Sequence, residues 1–142
     1  MLKNIPITIS PELLKLLSQM GDGDELLLCG ANYPAYGMGI KDVIHVHCPI
    51  EKLLADILTL MPLSDSVIPA TMYFEEDENS PIAAAYTSII AASDETEKLD
   101  HIDRLDKYPF LNRAEKVFCA AICDDTAPQC EIILTKGRVE RA

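Results

Sequence analysis

Apolar residues recur at helical spacing near the start of the chain. Ser10 supplies the kind of hydroxyl that caps helix N-termini, Pro11 follows at the first helical position, and Glu12 places an acid in the first turn. Leucines then occur at positions 13, 14, 16 and 17, until Gly21 ends the run. The pattern predicts an amphipathic helix that buries its leucine face.

Further along, short continuous apolar runs alternate with longer segments of helical spacing. The runs are typical of strands buried on both faces, and the helical segments are long enough to connect parallel strands. We therefore predict an α/β fold, with residues 1–142 as a single compact domain in which helices flank a mostly parallel sheet. The predicted strands are Glu25–Cys29, Asp42–His47, Pro69–Phe74, Val117–Cys123 and Glu131–Leu134, with the last two as a final strand pair; further helices are predicted over 49–62, 80–92 and 108–116, and the charged stretch Asp94–Asp106 favours neither type.

Composition and charge exclude several classes of protein. Of 142 residues, 49% are hydrophobic and 25% charged, which is typical of a globular chain. Twelve basic residues against 23 acidic ones give a formal net charge of −11, which repels nucleic acid and anionic lipid surfaces. No apolar run reaches the roughly 18 residues of a membrane span, and the first twenty residues show no secretion signal. We expect a cytoplasmic protein with no nucleic-acid partner, no membrane partner and reduced cysteines.

Two groups of residues are candidates for chemistry by type and spacing alone. Asp22 and Asp24 lie in the turn between the first helix and the first strand. They either solvate that turn or face a common cleft, where mutual repulsion and burial raise the pKa of one carboxyl toward the range of a general acid. His45 and His47 alternate in a predicted strand and share a face, but no third ligand is spaced to join them, so we expect no metal site.

Several segments spread over the chain carry a more specific signal. They are Met1-Leu2-Lys3, Ile9-Ser10-Pro11-Glu12-Leu13-Leu14-Lys15, Met20-Gly21-x-Gly23-Asp24-Glu25, Ala31-x-x-Pro34-Ala35, Arg113-Ala114 and Ile132-Ile133-Leu134-x-Lys136-Gly137. Together they resemble the fucose mutarotase and ribose pyranase family, most closely its fucose mutarotase branch, over essentially the whole chain. The resemblance implies a compact α/β fold, a ring-shaped homo-oligomer that is typically a decamer, active sites at subunit contacts, and no metal or organic cofactor.

The resemblance also implies an activity, in which the ring of a free, fucose-like monosaccharide opens and recloses. An acid protonates the ring oxygen, a base removes the proton of the anomeric hydroxyl, and reclosure gives the other anomer or ring size. By this resemblance Asp22 stands where the family has its general-acid histidine and Asp24 is kept, so both are candidate catalytic residues. The candidate substrate-binding residues are Gly30, Asn32, Lys107, Gln129, Cys130 and Glu131.

This chain departs from the family at most of those positions. Gly30 and Asn32 stand where the resemblance implies an aspartate and a histidine, and Lys107 stands where it implies a cationic or imidazole ligand. Leu111 replaces a tyrosine, and Gln129-Cys130-Glu131 replaces a Tyr-x-Asn triplet.

The departures leave three interpretations open. In the first, Asp22 or Glu131 is buried beside another carboxylate, has a raised pKa and replaces the histidine, while Lys107 and Gln129 bind hydroxyls. The new carboxylates beside a lysine also suit a substrate with an amine or another unusual substituent. In the second, the protein binds or senses a sugar with little turnover, because an exposed aspartate with a pKa near 4 is a poor acid at neutral pH. In the third, it is a structural ring protein without a sugar ligand.

Overall fold

Local sequence signals mark where three of the helices begin in the computed structural model, which describes residues 1–73 and 80–140. The Oγ of Ser10 accepts the N–H of Leu13 at 3.1 Å, which confirms the predicted start of helix α1 (Pro11–Gln19). Prolines at the first helical position or just before it mark two further starts. The remaining helices are α2 (Ile50–Leu58), α3 (Pro81–Ala91), a 3-10 helix (Thr96–His101) and α4 (Lys107–Ala114).

Within the described residues, six strands form one sheet in the order β2-β5-β1-β6-β3-β4. Strand β6 is antiparallel to both neighbours, and the other pairings are parallel, so the predicted mostly parallel sheet is confirmed. The strands are β1 (Glu25–Cys29), β2 (Val43–His45), β3 (Ala70–Tyr73), β4 (Asp103–Leu105), β5 (Cys119–Ile122) and β6 (Ile132–Thr135).

The prediction of a final strand pair was wrong. Strands β5 and β6 do not pair with each other, because β1 lies between them. The link over residues 123–131 carries no helix, so the chain turns back after β5 and returns antiparallel on the far side of β1. The link therefore has to cross the carboxyl end of β1, and this crossing shapes the candidate site.

Both faces of the sheet are covered, which explains the continuous apolar runs of its central strands. On one face, Leu26 and Leu28 of β1 belong to the larger core, against α1, α2 and α3. On the other face, Leu27 and Cys29 belong to a smaller core with α4 and the segment 33–43. Phe110 of α4 is fully buried in that smaller core.

Other differences from the predicted elements are mostly shifts at the ends. Strand β2 stops at His45, and the predicted strand position Phe74 lies outside the described residues. Strand β4 lies within the stretch that favoured no element, because an edge strand with one neighbour tolerates charged residues such as Asp103 and Arg104. Across residues 1–73 and 80–140, none of the helices has the length and apolar character needed to cross a membrane.

Candidate functional site

A cleft of about 420 Å³ opens at the carboxyl ends of β1 and β3, beside the link that crosses from β5 to β6. Ligand sites in open α/β sheets prefer this edge, because neighbouring strands diverge there into separate connections. Five of the six predicted substrate-binding residues line the cleft, namely Gly30, Asn32, Lys107, Gln129 and Glu131. The other lining residues are Tyr33, Pro34, Tyr73, Leu111, Asp125, Thr126, Ala127 and Pro128.

Glu131 is the buried acid of the cleft, with 7% of its surface exposed. Its Oε2 accepts the backbone N–H of Gly30 at 3.2 Å and the thiol of Cys130 at 3.0 Å. Burial raises the pKa of the Glu131 carboxyl above its usual range, and the nearby Asp125 charge adds to the rise, while the two hydrogen bonds oppose it. No basic side chain in the described part of the chain forms an ion pair with Glu131.

Gly30 is the point at which the β5 to β6 link touches the end of β1. The carbonyl oxygen of Asp125 accepts the N–H of Ala31 at 2.7 Å, which holds the link against the strand end. A Cβ placed on Gly30 would lie 2.7 Å from that carbonyl oxygen and 2.9 Å from the sulfur of Cys130. The absence of a side chain at position 30 is therefore required by the path of the link.

Cys130 does not line the cleft. It is 1% exposed and directs its thiol to Glu131, while its carbonyl oxygen accepts the hydroxyl of Tyr86 at 2.6 Å. The preceding residue, Gln129, has a φ of 57°, in the left-handed region that few residues other than glycine adopt. Backbone of this kind is commonly held in place at functional sites by its surroundings.

The walls of the cleft combine aromatic rings with a few polar groups. Tyr73 packs on Phe110 of α4 with ring centroids 4.8 Å apart, and the buried hydroxyl of Tyr33 has no hydrogen-bond partner among the described residues. Lys107 is exposed at the first position of α4, with its Nζ 5.7 Å from the centre of the Tyr108 ring. Aromatic faces with a small number of hydrogen-bonding groups are typical of pockets that bind small polar ligands.

The structure does not bring Asp22 and Asp24 to this cleft. Both lie in the turn before β1, at the opposite end of that strand from Gly30. Asp22 is exposed, and the Oδ2 of Asp24 accepts the N–H of Gly21 at 2.7 Å. Five strand residues separate the two ends, which corresponds to about 16 Å. Within one chain, the two predicted catalytic carboxylates and the predicted binding residues lie at opposite edges of the sheet.

The two histidines singled out in the sequence have separate partners. His45 Nε2 lies 3.1 Å from the hydroxyl of Tyr36, and His47 Nδ1 lies 3.3 Å from Oδ1 of Asp124. His47 also lies beyond the end of β2, so the predicted alternation within one strand does not hold. The described residues contain no group of three or more histidine, cysteine, aspartate or glutamate side chains that could hold a metal ion.

A second groove, of about 530 Å³, lies between the 3-10 helix and the segment 64–69. Its buried cation, Lys98, donates to the carbonyl oxygen of Leu63 at 3.1 Å and pairs with Asp65 at 2.9 Å. Glu95 accepts the N–H of the same leucine at 2.6 Å. Because Lys98 and Glu95 already bind groups of two neighbouring segments of the fold, they are less available to a ligand than the polar groups of the cleft at Glu131.

The cleft residues that were not predicted from the sequence include Tyr33, Tyr73 and Asp125. Tyr73 ends a buried strand, and Tyr33 and Asp125 follow shortly after two others, so their positions after strand ends were the available signal. That signal needed the strand order, because only the order shows that the ends of β1, β5 and β3 lie close together.

Comparison with known proteins gives a consistent result. The sequence model of the RbsD / FucU transport protein family matches residues 3–139. The chain is 34% identical to the fucose mutarotase of Streptococcus pneumoniae, whose crystal structure contains L-fucose, in a match that covers 98% of this chain and 100% of that one with a TM-score of 0.86.

Two other solved structures are also similar. FucU from Bifidobacterium longum is 34% identical, with 97% of this chain and 100% of that chain covered and a TM-score of 0.88. Bacillus subtilis RbsD, solved with D-ribose, is 16% identical, with 99% and 100% covered and a TM-score of 0.75, and at that identity it shows the shared fold alone.

Proposed function

The chain belongs to the RbsD / FucU transport protein family, and from this membership we propose that it interconverts the anomers or ring forms of a free, fucose-like monosaccharide. The 34% identity to a fucose mutarotase over nearly the whole chain supports this reaction class. The observation that carries the proposal is Glu131, a buried carboxyl at the wall of a polar cleft large enough for one sugar ring.

In the proposed reaction, Glu131 is the proton donor. Its raised pKa keeps the acid form populated at a higher pH than an exposed glutamate allows, so it protonates the ring oxygen as the bond from that oxygen to the anomeric carbon breaks. The proton of the anomeric hydroxyl passes to a base, the open-chain carbonyl rotates, and reclosure reverses both transfers. Lys107, Gln129 and Asn32 provide donors and acceptors for the other hydroxyls.

The base is proposed to come from a second copy of the chain. Asp22 and Asp24 lie at the edge of the sheet remote from the cleft, so they reach a sugar only across a subunit contact. The ring-shaped homo-oligomer, typically a decamer, and the cytoplasmic location stay predictions from the sequence. No cofactor has a part in the proposed reaction.

A second function is favoured by a specific observation and is kept as the alternative. Asp22 is exposed, and the Asp24 carboxylate already accepts a hydrogen bond from Gly21 within its own turn. If no copy of that turn meets the cleft, the protein binds a sugar and turns it over slowly, as a sensor or regulator does.

Anomeric exchange measured by NMR on free sugars, with fucose and ribose first, distinguishes the two functions. We expect wild-type protein to accelerate exchange of at least one sugar and Glu131→Gln to slow that exchange by about 10²–10⁴-fold, the usual contribution of general acid–base catalysis. Asp124→Asn is the matched control, because it removes an exposed carboxylate in the same link that does not line the cleft.

The pH dependence follows from the direction of the Glu131 pKa shift. The acid form is fully present below the ordinary glutamate pKa and is lost as the pH rises through the raised one, so exchange falls on the alkaline side. Broadened NMR lines of a sugar without faster anomeric exchange would favour the alternative function, a sugar-binding protein with little turnover. If no sugar changes the spectrum of the protein, both functions are contradicted.

A further inference from the structure

The Glu131 side chain is held asymmetrically, because both of its hydrogen bonds to other residues are on one oxygen. Oε2 accepts from the Gly30 N–H and from the Cys130 thiol, at 3.2 and 3.0 Å. Oε1 accepts no hydrogen bond from any other residue of 1–73 and 80–140, and it is absent from the fully buried unpaired oxygens of that part of the chain. We propose that Cys130 is a positioning residue that fixes the acidic proton of Glu131 on Oε1, the oxygen that accepts neither of these two donors.

The location of the proton follows from counting donors and acceptors. A neutral carboxyl has one O–H group and one carbonyl oxygen, and a carbonyl oxygen has two lone pairs. Because Oε2 accepts from the Gly30 N–H and from the Cys130 thiol, it takes the carbonyl role: a proton on Oε2 would turn the Cys130 sulfur from donor into acceptor, a weak role for a thiol, whereas a proton on Oε1 keeps both hydrogen bonds. The O–H is then on Oε1. The inference rests on the proposed function only in giving that O–H a catalytic task.

The thiol stays a donor because its surroundings keep it protonated and fixed. Burial raises the pKa of the Cys130 thiol well above its usual range, and its hydrogen bond to Glu131 adds to the rise. Three contacts hold the residue in place: the Tyr86 hydroxyl on its carbonyl oxygen, the left-handed backbone of Gln129 before it, and the bare Cα of Gly30 beside its sulfur.

A thiol is a weak donor, and that weakness matters at this site. A hydrogen bond to the ionised carboxylate lowers the pKa of Glu131, and a strong donor would lower it further and reduce the acid form. Cys130 therefore orients the carboxyl while its pKa stays raised by burial. This role differs from the direct substrate contact predicted for Cys130 from the resemblance.

Infrared spectroscopy of the sugar-free protein tests the proposal without requiring turnover. The stretch of the protonated Glu131 C=O is identified as the band that Glu131→Gln removes. In Cys130→Ala the carbonyl oxygen loses one donor, so we expect that band to move to higher frequency and Glu131 to titrate at higher pH. Cys130→Ser keeps a donor and should leave the band at or below its wild-type frequency.

Cys119→Ala is the matched control for emptying a buried cysteine site, because Cys119 is fully buried in the larger core, away from Glu131. The Glu131 band of the Cys119→Ala protein should have the wild-type frequency. The proposal would be overturned if the Glu131 band of Cys130→Ala kept the wild-type frequency and Glu131 titrated at the wild-type pH. If wild-type protein accelerates sugar exchange, the alkaline fall of exchange should occur at a higher pH in Cys130→Ala, with sugar affinity retained. If wild-type protein does not accelerate exchange, the proposed function is contradicted, but the infrared test of Cys130 is unaffected.

Discussion

Gly30 shows how one residue carries a constraint that its type alone does not reveal. The link from β5 to β6 crosses the end of β1, and a Cβ at position 30 would meet the backbone carbonyl oxygen of Asp125 at 2.7 Å. Backbone cannot rotate aside as a flexible side chain does, so relief requires the whole link to shift. The same link carries Asp125, Gln129 and Glu131, so a shift of the link would also move these cleft residues.

Gly30→Ala is expected to reduce the free energy of unfolding by about 1–3 kcal/mol, as overpacking usually does. Urea denaturation measures the change. Gly21→Ala is the matched control, because its new Cβ would meet only the Asp24 carboxylate at an ordinary 3.6 Å. Equal urea midpoints for the two variants would show that the link moves away from the new Cβ at little cost in stability.

At the scale of elements, helix α2 depends on a residue far from it in sequence. The residue before the helix, Pro49, makes no side-chain cap, and the N–H of Ile50 instead donates to Oδ1 of Asp125 at 2.7 Å. An acid at a helix N-terminus stabilises the exposed N–H groups there. The link that bounds the cleft therefore also caps α2, which couples the cleft to the larger core.

Asp125→Ala should lower the free energy of unfolding by about 1 kcal/mol, the usual cost of losing an N-cap acceptor. Asp125→Asn should keep most of the stability, since its amide oxygen accepts the same hydrogen bond. Thermal or chemical denaturation measures both, and Asp124→Ala serves as the control on the neighbouring exposed residue. If Asp125→Ala and Asp124→Ala have the same small effect, the contact with α2 adds nothing to stability.

At the scale of the whole molecule, the predicted site is divided between two edges of the sheet. Glu131 lies at the carboxyl end of β1, and the turn with Asp22 and Asp24 lies at its other end. A sheet is too stiff to bring its two edges together. Both groups act on one sugar only if the turn of one copy meets the cleft of another, which a closed ring allows.

Mixing two inactive variants tests this arrangement. Glu131→Gln in one chain and Asp22→Asn with Asp24→Asn in the other should each lose exchange. After equal amounts are mixed and subunits are exchanged at random, about one quarter of the contacts would join two native groups and regain activity, because the cleft and the turn of each contact are each native in about half of the cases. Absence of recovery despite proven subunit mixing, or a stable monomer by light scattering, would contradict a shared site.

Local sequence signals predicted most of the elements correctly. The Ser10-Pro11 start of α1 and the apolar run of β1 were found because capping groups and continuous burial leave local patterns. Strand β4 was missed because charged residues at a sheet edge give no apolar pattern. The pairing of β5 with β6 was wrong because strand neighbours depend on long-range packing, which adjacency along the chain does not encode.

For the site, the sequence determined the family, from which the reaction class is proposed, and it named five residues that line one cleft. It left open whether Asp22 or Glu131 is the buried acid. Only the tertiary structure decided that, because burial is a property of the environment: Asp22 lies in an exposed turn, and Glu131 lies where the link over β1 excludes water. A residue's type gives its ordinary pKa, and the elements packed around it determine how far that pKa moves.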